Sequence, residues 1–205
     1  FASDIGQDLF KMSEEKMGIK MLAVYYIGTR HVSTRLKKKI NKPADLTGVK
    51  LRMPVGEGGE FSGPSLGANP VPVAFTEVYT ALQSGAIDAQ DNPMPLTKTM
   101  KFHEVLSQYI LTSHLVNFNI LSVRKTKWDT LSAAQKQRLQ ASADEVSALI
   151  TAQMVKEESE LVTFFKSQGL DVYTPDTKAF RDNTIDIIKK SKYISEWKPG
   201  MLEKI

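Results

Sequence analysis

A long, uninterrupted helical pattern in the last third of the chain constrains the fold more than any other feature. It begins after Ser132-Ala-Ala-Gln135, a capping box in which the hydroxyl and the glutamine side chain each satisfy a backbone amide. One helix over residues 133–168 would be about 54 Å long, wider than a small domain, so it must either break or bridge two domains. Apolar residues recur along it at helical spacing, at Leu139, Ala143, Val146, Ile150, Met154, Leu161 and Phe165.

Strands and helices alternate along the rest of the chain. Apolar and β-branched runs predict strands at 19–34, 49–53, 71–75, 86–88, 115–125 and 170–175. Helical spacing and capping residues predict helices ending at Gly18 and over 57–66, 77–84, 101–110 and 180–197. The alternation indicates an α/β fold with mainly parallel strand pairing.

Composition excludes several classes of function. The chain has no cysteine, which excludes disulfides, thiolate metal sites and cysteine nucleophiles. A net charge of +4 and a pI of about 9.1 are too mildly basic for a dedicated nucleic-acid binder. The basic run at 35–42 lacks interleaved aromatic residues, so we expect a solvated loop and no nucleic-acid partner.

The ends of the chain and its apolar runs bear on localisation. No apolar run approaches the roughly 18 residues that a membrane span needs. The first residues given show no signal-peptide pattern, and the sequence begins without Met in what is predicted to be a helix already in progress. We therefore expect that the true N-terminus lies further upstream.

Neither metal binding nor catalysis has a clear motif. His31, His103 and His114 lack any metal-ligand spacing, so we expect structural or surface histidines and no cofactor or metal. A general acid and base could come from the carboxylates of Glu57, Glu60, Asp88 and Asp91. The catalytic-serine elbow is missing, so an enzyme stays an alternative rather than the favoured class.

Arginine at strand ends is the most informative chemical pattern. Arg52 and Arg30 each lie near the end of a predicted strand, Asn92 just past another, and Phe75 before the predicted N-cap Thr76. Ligand crevices of open α/β sheets lie outside the carboxyl ends of strands. The planar arginine fork suits a carboxylate, to which Asn can also donate while Phe packs on carbon. On this pattern alone, surface or packing roles for the four residues remain open.

Continuous motifs then point to a family. The segments "DLTGVKLRMP", "LGANPVPVAFTEVYTALQSGAIDAQDNP" and "KFHEV" closely resemble the substrate-binding proteins of TRAP transporters (tripartite ATP-independent periplasmic transporters, DctP type). The resemblance extends from "GTRH" to "FFKSQGL" and so covers most of the chain. It implies a periplasmic receptor, not an enzyme, with a two-lobed periplasmic binding protein fold and a long helix that spans both lobes.

The resemblance also assigns parts of the chain. It implies that 1–29 and 118–184 are the remainder of lobe I with the spanning helix, and that 30–117 and 185–205 are lobe II. The N-terminal part of lobe I would then be absent from this chain. We expect a monomer that passes its ligand to a small and a large membrane subunit.

The same resemblance assigns the binding residues. Arg52 would be the carboxylate clamp, with Arg30 as a second contact, Asn92 beside the carboxylate and Phe75 packed on the ligand. Asn117 is a weaker candidate.

Departures from the family pattern bear on the ligand. Val55 stands where sialic-acid binders carry Asn, and Glu57 or Glu60 could reach a hydroxyl. These residues favour a sugar acid, such as a uronate or aldonate, over a C4-dicarboxylate or a keto acid. Ala89 and Asp91 replace the usual Gly and Glu, a mild change. A signalling module that binds the same acid is a further alternative.

Overall fold

The computed structural model describes residues 3–197, 200 and 202. Within them the α-helices are α1 (Asp4–Met17), α2 (Glu57–Ser65), α3 (Val78–Ser84), α4 (Met94–Thr99), α5 (Lys125–Asp129), α6 (Ala133–Ser167) and α7 (Thr177–Lys190). The strands are β1 (Ile19–Thr34), β2 (Lys50–Met53), β3 (Asn69–Pro72), β4 (Ala89–Pro93), β5 (Gln108–Arg124) and β6 (Asp171–Tyr173). Short 3₁₀ helices cover Pro43–Leu46, Phe75–Glu77, Phe102–Val105 and Lys192–Glu196.

The strands form one mixed sheet in the order β3-β2-β4-β1-β5-β6. β2 pairs in parallel with both β3 and β4, and β5 pairs in parallel with β6. β1 runs antiparallel to β4, with Arg30 opposite Pro93 and His31 opposite Asn92. The predicted α/β class is therefore confirmed, with β1 as the strand that makes the sheet mixed.

The chain divides into two compact units. One comprises Phe1–Gly28 and Val116–Glu160, and the other comprises Thr29–Leu115 and Leu161–Ile205. The long helix α6 contributes to both, since its last residues belong to the second unit. Of the two alternatives that the pattern left open, the structure shows the continuous helix, as the resemblance implied. The lobe boundaries inferred from the resemblance stay a prediction.

The first unit has a small core. Leu22 and Ala23 of β1 pack with Ala143 of α6, and Val123 and Trp128 lie against them. The capping box begins α6 as predicted, since Gln135 N donates to Ser132 Oγ at 3.3 Å and Ser132 N donates to the Gln135 side chain at 2.9 Å. The predicted apolar stripe is only partly buried, because Leu139 and Val146 are exposed.

The second unit has a core on each face of its part of the sheet. Tyr109 and Ile110, adjacent on β5, belong to different clusters, as alternate strand residues should. Phe180 of α7 packs in the cluster with Ile110, and Phe165 of α6 stacks on the Tyr109 ring at 5.0 Å in the other. Two helices thus cover opposite faces of the sheet.

Among the predicted elements that differ in the structure, three bear on the site. Residues 101–110 form a 3₁₀ turn and then the start of β5, not a helix, because β6 pairs with Gln108, Tyr109 and Ile110. The strand predicted at 86–88 lies at 89–93, which places Asn92 inside β4 rather than just past a strand. Thr76 is not an N-cap, since α3 begins at Val78 after a 3₁₀ turn.

Candidate functional site

Arg52 is a buried cation at the carboxyl end of β2. Parallel strands flank β2 on both sides, and the residue is only 4% exposed. Its Nε donates to Val73 O at 2.9 Å, and its guanidinium carbon lies 5.8 Å from the centre of the Phe75 ring. The two terminal nitrogens, Nη1 and Nη2, donate a hydrogen bond to none of the described residues. These nitrogens are the part of the fork that can hold a carboxylate.

Burial disfavours the charged form of the Arg52 guanidinium. Burial lowers the pKa of its guanidinium, the carboxylate of Asp91 raises that pKa, and the nearby charge of Arg30 lowers it. Arginine stays protonated in proteins even so. The site therefore holds a poorly solvated positive charge.

Arg30 has a carboxylate partner of its own. Its Nε donates to Asp91 Oδ2 at 2.8 Å, and Nη2 donates to Oδ1 at 2.9 Å and to the backbone oxygen of Asp91 at 2.5 Å. Nη1 donates to no residue that the structure describes. The resemblance predicted Arg30 as a ligand contact, and the donor left for that role is Nη1.

Asp91 is nearly inaccessible, with 2% of its side chain exposed. Burial raises the pKa of this carboxyl, but hydrogen bonds from His114 and Arg30 outweigh burial and hold the pKa well below its usual range. Nε2 of His114 lies 3.1 Å from Asp91 Oδ2, and Nδ1 lies 2.8 Å from Thr112 Oγ1. Asp91 is thus an ionised anchor between two side chains.

Asn92 is oriented by a chain of buried polar groups. Its Nδ2 donates to Gln90 Oε1 at 2.5 Å, and Gln90 Nε2 donates to Ser33 Oγ at 2.6 Å. Tyr109 donates its hydroxyl to the backbone oxygen of Asn92 at 2.7 Å. Since Arg52 pairs with Gln90, Asn92 lies two residues further along the same face of β4. The amide is therefore fixed before any ligand arrives.

An open cleft of about 470 Å³ adjoins this cluster. One wall begins α2, where Gly56 adopts a φ of 119° and Gly59 lies so close that an added Cβ would be 2.1 Å from Pro54 O. Only glycine fits there without moving that backbone. The lining residues are Arg30, Met53, Pro54, Val55, Gly56, Gly58, Gly59, Ser62, Asp91 and Leu115.

The structure brings part of the predicted set together. Arg52 lies beside Phe75, and the charge of Arg30 acts on its guanidinium. These three residues and Asn92 all belong to the second unit. Asn117 lies on β5 in the first unit and is partly buried. The side chain of Glu57 lies outside the described residues, although its backbone begins α2.

Sequence reasoning missed two members of the cluster. Asp91 entered as one of four candidate acid/base carboxylates and as a mild departure from a family pattern, and His114 as a structural or surface histidine; neither was predicted as a partner of Arg30. The available signal was an acidic residue beside Asn92 on a strand that ends at the cleft.

No group of three or more His, Asp or Glu side chains among the described residues could hold a metal ion. None of the helices in that part of the chain is long and apolar enough to cross a membrane.

Comparison with known proteins gives the family. The family model described as bacterial extracellular solute-binding protein, family 7 (DctP), matches residues 1–194. The chain belongs to this family of receptors, as the motifs predicted.

Three relatives illustrate the match. A solved TRAP periplasmic solute-binding protein from Roseobacter denitrificans with bound 3-deoxy-D-manno-oct-2-ulosonic acid (KDO) is 42% identical with a TM-score of 0.94, covering all of this chain and 68% of the other. The sialic acid-binding periplasmic protein SiaP of Vibrio cholerae is 37% identical over 89% of this chain and 56% of its own. The 2,3-diketo-L-gulonate-binding protein YiaO of Escherichia coli is 35% identical over 87% and 54%. The chain thus spans little more than half the length of these two curated relatives.

Proposed function

We propose that this chain belongs to a periplasmic receptor that binds a sugar acid through Arg52 and delivers it to TRAP membrane subunits. The observation that carries the proposal is the buried guanidinium of Arg52, whose terminal nitrogens donate to none of the described residues. A desolvated charge of this kind is stabilised most by a bidentate anionic partner. A ligand carboxylate is such a partner.

The balance of charge supports a single carboxylate. Arg52 and Arg30 are two cations, and among the described side chains the ionised Asp91 is the anion that is bonded to Arg30 and acts on Arg52. One positive charge is left over, apart from any charge on His114. A monoanion would neutralise it, whereas the second carboxylate of a C4-dicarboxylate would approach Asp91 and be repelled.

The remaining groups suit a polyhydroxylated carbon skeleton. Phe75 offers a ring face beside Arg52, and Asn92 offers an amide held in place by Gln90. Arg30 and Asp91 both line the cleft, and Nη1 of Arg30 is the donor of this pair that no described residue engages, so it is available to a ligand hydroxyl. The three relatives are named for sugar-derived acids, which supports the same ligand class here.

The ligand within that class is best found by survey. The receptor, expressed from its complete coding sequence and stripped of ligand, is heated with D-glucuronate, D-galacturonate, L-galactonate, KDO, sialic acid, succinate and pyruvate. Binding raises the unfolding temperature, by several degrees when the ligand is at 100 times its Kd. We expect one or more sugar acids to shift it and succinate and pyruvate not to do so. A shift with succinate alone would contradict the sugar-acid assignment.

A further inference from the structure

Ser113 has a backbone conformation that its side chain does not favour. Its φ is 49°, in the left-handed region where L-residues other than glycine, Asn and Asp are uncommon. Within the described residues, Lys101 is the other non-glycine with positive φ, and it precedes a 3₁₀ turn. Ser113 instead lies within the long strand β5, so something must hold it there.

His31 on β1 supplies that restraint. The backbone N–H of Ser113 donates to His31 Nδ1 at 3.1 Å, a side-chain acceptor in place of a strand carbonyl. One residue along, Val32 N donates to Thr112 Oγ1 at 3.1 Å. At this point of the β1–β5 pair, side chains therefore accept the backbone hydrogen bonds, and the local path of β5 depends on them.

His31 has the right protonation state for this role. The residue is buried, and burial together with the electrostatic effect of the neighbouring His114 lowers the pKa of His31 to about 4. The imidazole is neutral near pH 7, so Nδ1 keeps a lone pair for the Ser113 amide while the proton lies on Nε2. The ring packs edge-on against Tyr109, with 5.8 Å between ring centres.

The next residue connects this restraint to the binding cluster. His114 follows Ser113 directly, and its ring bridges Thr112 Oγ1 and Asp91 Oδ2. Asp91 in turn accepts hydrogen bonds from Nε and Nη2 of Arg30. Since φ of Ser113 sets the direction in which the chain presents His114, loss of the left-handed turn would move the His114 ring away from Asp91.

We propose that His31 is a positioning residue: by accepting the Ser113 amide, it aims His114 at Asp91 and so fixes the Arg30–Asp91 pair. The consequence for ligand affinity rests on the proposed function, whereas the effect on the ion pair does not. The competing explanation is that His31 only fills space next to Tyr109.

Three substitutions separate these explanations. His31→Phe keeps a ring against Tyr109 and removes the acceptor. His31→Asn loses the ring but places an amide oxygen near the position of Nδ1. Ser113→Gly removes the Cβ that disfavours positive φ, so the turn can form without help from His31.

The direct readout is water exchange of the Arg30 Nε–H, followed by NMR of the ligand-free receptor expressed from its complete coding sequence. We expect exchange at least tenfold faster in His31→Phe, within twofold of wild type in His31→Asn, and restored in the double variant with Ser113→Gly. Unchanged exchange in His31→Phe, an equal loss in His31→Asn, or no restoration in the double variant would overturn the proposal. If His31→Phe does not fold, the Ser113→Gly protein is the reference, and adding His31→Phe to it must leave exchange unaltered.

Affinity for KDO and D-glucuronate, measured by calorimetry on the same variants, keeps the two proposals distinguishable. If one of these acids binds wild type, we expect its Kd to rise at least tenfold in His31→Phe and to recover in the double variant. Binding of neither acid together with the expected NMR pattern removes the support for the sugar-acid function and leaves the positioning role intact. Binding that is unaffected by His31→Phe contradicts the positioning role in ligand recognition and leaves the function standing.

Discussion

Arg30 and Asp91 form a two-point ion pair in which Nε and Nη2 of the arginine donate to separate carboxylate oxygens at 2.8 and 2.9 Å. The pair joins β1 to β4, with 11% of the arginine side chain and 2% of the aspartate side chain exposed. It neutralises one of two neighbouring arginines and leaves Arg52, among the described residues, without a carboxylate partner. Stability and binding are therefore separable at this site.

Breaking the buried pair should destabilise the protein strongly. Asp91→Asn keeps the shape of the side chain but leaves the charge of Arg30 buried without a counter-ion, which typically costs about 3–5 kcal/mol. Denaturant unfolding measures the loss. The matched control is Asp129→Asn in the exposed Lys125–Asp129 pair, which should change the midpoint little because solvent screens that pair. Equal effects of the two substitutions would mean that burial of the Arg30–Asp91 pair has no energetic weight.

Removing the guanidinium of Arg52 should affect ligand binding far more than folding. Arg52→Ala deletes the partner of the ligand carboxylate, a loss of about 2 kcal/mol or more, which is roughly 30-fold in Kd. Arg52→Lys keeps a charge without the planar fork and should give an intermediate Kd. Calorimetry with the best acid from the thermal survey measures both, and Arg138→Ala at an exposed position on α6 is the control. A Kd in Arg52→Ala equal to that of the control would exclude the clamp.

Acid should weaken the fold through His31. Its folded pKa of about 4 is below its ordinary value of 6.5, so the unfolded chain binds more protons between these pH values and stability falls as the pH drops. The full effect is about 3 kcal/mol by linkage. Unfolding free energies of wild type and His31→Phe are compared from pH 7 to pH 4. We expect a steeper decline in wild type, and parallel curves would show that His31 titrates normally.

Two adjacent glycines at the start of α2 should differ in their tolerance of a methyl group. Gly59→Ala would place Cβ 2.1 Å from Pro54 O, so the backbone must shift, a strain of about 1–3 kcal/mol. Gly58→Ala meets no atom within 4 Å and should be neutral or slightly stabilising in a helix. Thermal unfolding distinguishes them. Similar melting temperatures for the two variants would show that the close approach at Gly59 can relax freely.

Local signals predicted several elements well. The capping box at Ser132 and the left-handed C-cap at Gly18, with φ of 63°, were readable because each depends on residues close in sequence. The same holds for α2, predicted over 57–66 and found at Glu57–Ser65. Such features need no knowledge of distant contacts.

Elements and contacts that depend on pairing between distant residues could not be predicted from the sequence. The apolar spacing of Phe102, Leu106 and Tyr109 suits a helix. Periodicity alone cannot distinguish a short buried strand from a buried helix. Pairing with β6 makes Tyr109 part of a strand. Likewise, the partnership of Arg30 with Asp91 joins residues 61 positions apart, so no local motif announces it.

The site was predictable only in part. The arginine at the end of β2 and the phenylalanine beside it could be proposed from strand-end chemistry and from a family resemblance. Burial of Arg52, and the polar chain that links Asn92 to Gln90, are properties of the packed sheet. For the same reason, the sequence predicted an ordinary histidine at His114, whereas in the structure its Nε2 lies 3.1 Å from Asp91 Oδ2.

The central claim is that the negative charge of a ligand carboxylate is recognised by Arg52. Its most direct test is the Kd, in the receptor expressed from its complete coding sequence, of the sugar acid with the largest thermal shift and of the uncharged primary amide of that acid. The two ligands differ in charge at one group and little in shape. We expect the amide to bind at least 30-fold more weakly in wild type, and the difference to vanish in Arg52→Ala. An amide that binds as well as the acid, or a preference for the acid that survives in Arg52→Ala, would contradict the account.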